Sequence, residues 1–186
     1  LRHGFVPPAY RWLQDHLASR LPDYQGRLPW WVHCQKPDLR RHRHATLRGV
    51  VEVRLELELA SGTFLTFPSW AWDCIFRQDY LALTREEYDQ WTNRLRTAVP
   101  NEDAWPLPEP WQSQLKASWG RLFDANLPVL GWDPAYAWSR HPRVEGVVET
   151  LRLVDVQTVT HFTGTLELPA GPARQRLESE ARDEHG

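Results

Sequence analysis

Three groups of residues in this 186-residue chain have the types and spacing to do chemistry. The first is the adjacent pair Trp30 and Trp31, followed by Lys36, Asp38, Arg40 and Arg41. From Lys36 to Arg48 there are five Lys and Arg against one Asp, with His42 and His44 among them. Guanidinium groups bind phosphates and carboxylates through two parallel hydrogen bonds, and indoles stack on bases or cationic rings. Together these residues read as a site for a nucleotide or a single-stranded nucleic acid. The alternative is a solvated loop in which Asp38, following Pro37, bonds its own backbone. The second group is Trp119 and Arg121 in the run Ser118–Asp124. Either Arg121 reaches an anionic ligand beside a wall made by Trp119, or Arg121 and a nearby Asp clamp the segment structurally. The third is Glu145 and Glu149, which an extended chain points to one face. One of them could serve as a catalytic carboxylate, or both could sit on a strand's wet face.

The elements that must position these groups follow from periodicity. Residues 8–20 place Tyr10, Leu13 and Leu17 at helical spacing. Residues 29–34 form a short aromatic strand. Residues 50–59 alternate Val51, Val53, Leu55, Leu57 and Leu59 with charged residues, which predicts a strand with one wet face. After Ser61-Gly62 the run 63–67 continues as a second strand, and the two make a predicted hairpin. Ser69 caps a short helix, and Thr84-x-x-Glu87 is a capping box opening a helix that carries Trp91 and Leu95. Short helical pieces follow at 111–115 and 119–123, then a long irregular stretch at 125–142. Residues 144–153 read as the last strand. Asp155 caps a predicted helix with Val156, Val159 and Phe162, and 169–186 is a disordered polar tail after a single domain spanning 1–168.

Composition bounds the rest. A net charge of -2 and a pI near 6.5 oppose bulk-charge coating of DNA. Cys34 and Cys74 lack metal-ligand spacing and read as buried, reduced thiols. His42-x-His44 has no third ligand in view, so no metal is assigned. The chain contains no run of about 20 apolar residues that could span a membrane, and the default compartment is the cytoplasm. There is no Gly-rich phosphate loop, nucleophile elbow or zincin helix.

Taken in order, Pro29-Trp30-Trp31, Lys36-Pro37-Asp38-Leu39-Arg40, the Val53–Leu59 strand, Ser69 with Asp73, Ser118-Trp119-x-Arg121-Leu122-Phe123-Asp124 and the 144–163 segment resemble a bacterial family, domain of unknown function 3841. The resemblance covers roughly residues 5–163. It implies an upstream strand containing Trp-Thr-x-Gln, so an N-terminal segment is expected to precede Leu1. That strand is loosely similar to the first strand of ADP-ribosyltransferases, which carry a key Glu on a late strand.

The fold expected is α+β, a mixed and mainly antiparallel sheet of four or five strands with short helices around it. Its core should hold Leu13, Leu17, Val53, Leu55, Leu57, Phe64 or Leu65, Ile75, Trp91, Leu95, Phe123 and Val159. The leading function is a binding module for a nucleotide or short nucleic acid without a cofactor. The alternatives are an ADP-ribosyltransferase-like enzyme using NAD, with Glu145 or Glu149 as its acid, and a protein-interaction domain.

Overall fold

The computed structural model describes residues 7–38, 46–99, 106–124, 126–128, 131–132 and 143–166. Two compact units emerge, Leu1–Gln35 with Leu59–Leu151 and Lys36–Glu58 with Arg152–Gly186. Among the described residues, five strands in two antiparallel sheets and four α-helices give the α+β class that the periodicities predict.

In the first unit, β1 (Trp30–His33), β3 (Phe64–Pro68) and β4 (Val144–Val148) form a sheet in the order β1-β4-β3. Helices α1 (Pro8–Ala18), α2 (Ser69–Phe76), α3 (Arg85–Ala98) and α4 (Trp111–Trp119) belong to the same unit. Pro8 suits the first turn of α1, where its missing N–H would have no intrahelical partner. The Thr84 side chain accepts the Glu87 N–H at 3.2 Å, while the Glu87 carboxylate reaches back to the Leu83 N–H at 2.8 Å. The capping box therefore forms, displaced by one residue on its return arm. The two helical pieces expected near Trp111 and Trp119 are one continuous helix with a 3₁₀ turn, Gly120–Phe123, after it.

Leu13, Leu17, Ile75, Leu81, Leu115, Trp119, Leu122 and Val147 are buried completely or nearly so. Each such aliphatic side chain contributes about 1.5–3 kcal/mol when withdrawn from water. Central strand β4 carries Gly146, and a Cβ there would come within 2.9 Å of Val32 Cγ2 and 3.3 Å of the Leu65 carbonyl. Only glycine lets β1 and β3 close on both sides of β4 at this point.

In the second unit β2 (Val51–Leu57) pairs with β5 (Val156–Thr163). This replaces the expected hairpin, since β2 does not pair with β3. Gly62 does turn the chain, with φ 83°, but the turn leads into the other sheet. Alternation fixes the faces of a strand and leaves its partner open. The predicted helix after Asp155 is also a strand. Val156, Thr158, Val159, Thr160 and Thr163 are β-branched and favour extended backbone. Asp155 instead closes a 3₁₀ turn, Leu153–Asp155, by accepting the Arg152 N–H at 3.0 Å.

Three residues assigned to the core are about half exposed, Val53 at 49 %, Leu55 at 43 % and Val159 at 50 %. The register puts Leu55 opposite Val159 on one face of the ribbon, while Arg54 and Glu56 on the other form an ion pair at 2.9 Å. Cys74 is buried as expected, whereas Cys34 is exposed just past the end of β1. The tail from 169 onwards, most of 125–142, and His42 and His44 lie outside the described residues.

Candidate functional site

Strand alternation decides between the paired tryptophans. Trp30 projects outward and is 60 % exposed, while Trp31 turns in and is half-buried. Antiparallel register sets Trp31 opposite Val147 and His33 opposite Glu145. Directly opposed residues share a face, so Trp31, His33, Glu145 and Val147 lie on one side of the sheet. From α1 comes Tyr10, whose ring meets Trp31 edge-on at 6.2 Å and Trp72 at 5.4 Å. From α2 come Trp72, Asp73 and Phe76, and the Trp72 ring lies 4.9 Å from that of Trp31. Positions 72 and 76 are one helical turn apart and share a face.

These residues meet at an open pocket of about 380 Å³, lined by Tyr10, Trp31, Val32, His33, Trp72, Asp73, Phe76 and Glu145. Its size suits a small ligand or one ring system of a larger one. Two carboxyl groups face it. Burial pushes the Glu145 carboxyl above its ordinary value, against the pull of Arg143. Burial also raises Asp73, the Glu145 charge adds to the rise, and Arg77 and Arg143 oppose it. Partial burial of its sulfur raises the Cys34 thiol, and Glu145 adds to the rise. Two carboxyl groups in one aromatic pocket, both displaced upward by burial, ionise less readily than they would in water. The buried Trp31 indole N–H has no hydrogen-bond acceptor among the described residues. Among the described residues no cluster of three or more His, Cys, Asp or Glu could hold a metal ion.

The other residues singled out from the sequence divide differently. Glu149 lies just beyond β4 and is 8 % exposed, so it is on no wet face. Its carboxylate accepts the Gln25 N–H at 2.7 and 2.9 Å and the Arg27 N–H at 2.7 Å. It ties the 22–27 loop to the sheet and ends the strand that periodicity extends to Leu153. Trp119 is fully buried, with its indole N–H donating to the Asp79 carbonyl at 2.8 Å, and it forms no pocket wall. Arg121 donates to Glu87 at 2.6 Å and to the Leu81 carbonyl at 3.0 Å, which is the structural ion pair with a glutamate in place of an aspartate. Lys36 pairs with Glu56 at 2.6 Å, and Asp38 is exposed. Both belong to the second unit, and Arg40 and Arg41 lie outside the described residues.

Tyr10, His33, Trp72, Asp73 and Phe76 reach the pocket without having been singled out as site residues. The signal was present for Asp73, the single charged residue in the otherwise apolar helix Ser69–Phe76. A charge placed there must find either a partner or a cavity.

A family profile described as a domain of unknown function, DUF3841, matches residues 2–129. No curated protein and no solved structure matches the chain. Among the described residues no helix is long and apolar enough to cross a membrane.

Proposed function

Since the chain belongs to the domain of unknown function 3841 family, which carries no activity in its description, we propose a function from the pocket itself. The domain binds a nucleotide of the NAD type, with its planar ring against Trp31 and Trp72 and its ribose end toward Glu145. The observation that carries this reading is the position of Glu145, which opens into an aromatic pocket beside Trp31 rather than into bulk solvent. Aromatic walls supply stacking area and carboxyl groups supply acceptors for ribose hydroxyls or ring amides. A phosphate would be repelled by the same acids, so the phosphates must point out of the pocket.

The site also supports an enzymatic reading, because burial holds Glu145 above the ordinary carboxyl range. In cleavage of NAD the bond between ribose C1′ and the nicotinamide nitrogen breaks, and its electron pair leaves with the ring. Water, or an acceptor hydroxyl or amine, bonds to C1′ and gives up a proton. The ionised Glu145 stabilises the cationic ribosyl centre and takes that proton.

The test is a titration followed by tryptophan fluorescence with NAD, AMP and a short oligonucleotide, with nicotinamide release measured in parallel. Saturable binding of NAD that weakens in Glu145→Gln supports the proposal. Binding confined to the oligonucleotide would return the function to the basic 36–48 loop, and no binding of NAD up to millimolar concentration would overturn the pocket reading.

A further inference from the structure

We infer that Asp73 and Glu145 act as a pair that makes this pocket selective for a planar organic cation over its neutral analogue. The inference rests on the reading of the pocket as a ring-binding site and specifies which rings it takes.

The geometry brings two carboxyl groups from different elements, α2 and β4, into one small space lined by Tyr10, Trp31, Trp72 and Phe76. Their mutual effect is unfavourable, since the charge of Glu145 opposes ionisation of Asp73. Among the described residues, the charged and titratable groups around them are Tyr10 from α1, His33 from β1, Cys34 just past it, Arg77 beside α2 and Arg143 beside β4. Arg77 and Arg143 each favour ionised Asp73, yet the carboxyl remains above its ordinary value.

A neutral ring leaves this repulsion in place and adds to the desolvation of both acids. A cationic ring removes it, because one positive charge faces two carboxylates, and any proton held by the pair is released on binding. The aromatic walls act in the same direction. Indole and phenol faces attract cations through their quadrupole and give a neutral ring no such gain. Ligand class therefore follows from charge and planarity, and the oxidised nicotinamide ring is one member of that class.

The experiment compares 1-methylnicotinamide, a cation of the same shape, with neutral nicotinamide by calorimetric titration of the full chain at neutral pH. Neither probe has a ribose bond to cleave. The expected result is a preference of roughly tenfold or more for the cation, falling to within about twofold in Asp73→Asn. Glu145→Gln serves as the second variant should Asp73→Asn not fold, with the same expected loss. Equal affinities in the wild type would overturn the inference, as would a preference untouched by either variant. Cation preference without NAD binding would keep this inference and remove the NAD reading. NAD binding with equal affinity for the two probes would do the reverse, and no binding of any of the three would remove both.

Discussion

Glu145 and Glu149 stand four residues apart and sit in opposite environments, the first raised by burial and the second held by backbone N–H groups. The sharpest consequence is that substitutions at the two positions have opposite effects on stability. The Glu149 carboxylate satisfies two backbone N–H groups, those of Gln25 and Arg27, at 2.7 Å at its shortest to each. Glu149→Ala leaves both donors without that acceptor. An unsatisfied buried donor costs about 1–3 kcal/mol. Gln25 and Arg27 lie in an exposed loop, so water can reach part of the vacated site and the lower half of the summed range applies. The expected loss is roughly 2–4 kcal/mol, or a fall in Tm on the order of 5–15 °C for a chain of this size. Glu149→Gln keeps one acceptor oxygen and should lose roughly half as much. Urea denaturation measures this directly, and an unchanged slope would show that the denatured state is not the cause. A Glu149→Ala variant within about 0.5 kcal/mol of wild type, the range of ordinary surface substitutions, would refute the assignment.

Other outcomes follow from the same structure. Burial holds the folded-state values of Glu145 and Asp73 above their ordinary ones. Their cost is thus absent below about pH 4, where the unfolded carboxyls are protonated too, and grows as pH rises through the folded values. Glu145→Gln and Asp73→Asn should therefore raise Tm at neutral pH and lose that advantage near pH 3, and a lower Tm at pH 7 would count against the raised values. Glu87 shows the reverse sign: burial would raise it, but the Leu83 N–H and Arg121 bring it below the ordinary range. Its contribution is present above pH 4–5 and fades as pH falls through the lowered value, so Arg121→Ala should flatten the acid limb of a Tm-against-pH curve. Gly146→Ala should cost about 1–3 kcal/mol by denaturant titration, because Val32 Cγ2 and the Leu65 carbonyl leave no room for a methyl group. Val53→Thr should change stability by less than about 0.5 kcal/mol, since Val53 is 49 % exposed, and a core-sized loss would place it inside after all.

Much of the first unit was legible because its signals are local. The spacing of Tyr10, Leu13 and Leu17 specifies α1, and Thr84 with Glu87 specifies the start of α3. The errors arise where the outcome depends on partners distant in sequence. Val51–Leu57 reads correctly as a strand, but nothing in its own residues distinguishes the neighbouring Phe64–Pro68 from Val156–Thr163, some 100 residues away. The choice of partner then decides that Val53 and Leu55 are half exposed. The Val156, Val159 and Phe162 spacing fits a helix as well as a strand, and the β-branched residues between them were the better guide.

The site was half legible for the same reason. Alternation required one of Trp30 and Trp31 to turn inward, and Glu145 was a candidate from strand geometry alone. What sequence could not supply was the helix lying over that face of the sheet, and with it Trp72 and Asp73. Trp119 and Arg121 carried a strong motif, yet their chemistry is spent on the Asp79 and Leu81 carbonyls and on Glu87. A motif dense in tryptophan and arginine marks a fixed geometry, and here that geometry holds the 79–87 segment in place.

The proposed function requires that a nucleotide ring enter the pocket beside Glu145. The most direct measurement follows the indole N–H resonances of ¹⁵N-labelled protein while NAD is added, with Trp31 and Trp72 assigned through Trp31→Phe and Trp72→Phe. Trp31 is a sensitive reporter because its buried N–H has no acceptor among the described residues, whereas the N–H of Trp119 is bound to the Asp79 carbonyl. The expected result is saturable shifts of the Trp31 and Trp72 resonances, little change at Trp119, and loss of the response in Glu145→Gln. Shifts confined to exposed Trp30, or none at all at millimolar NAD, would contradict it.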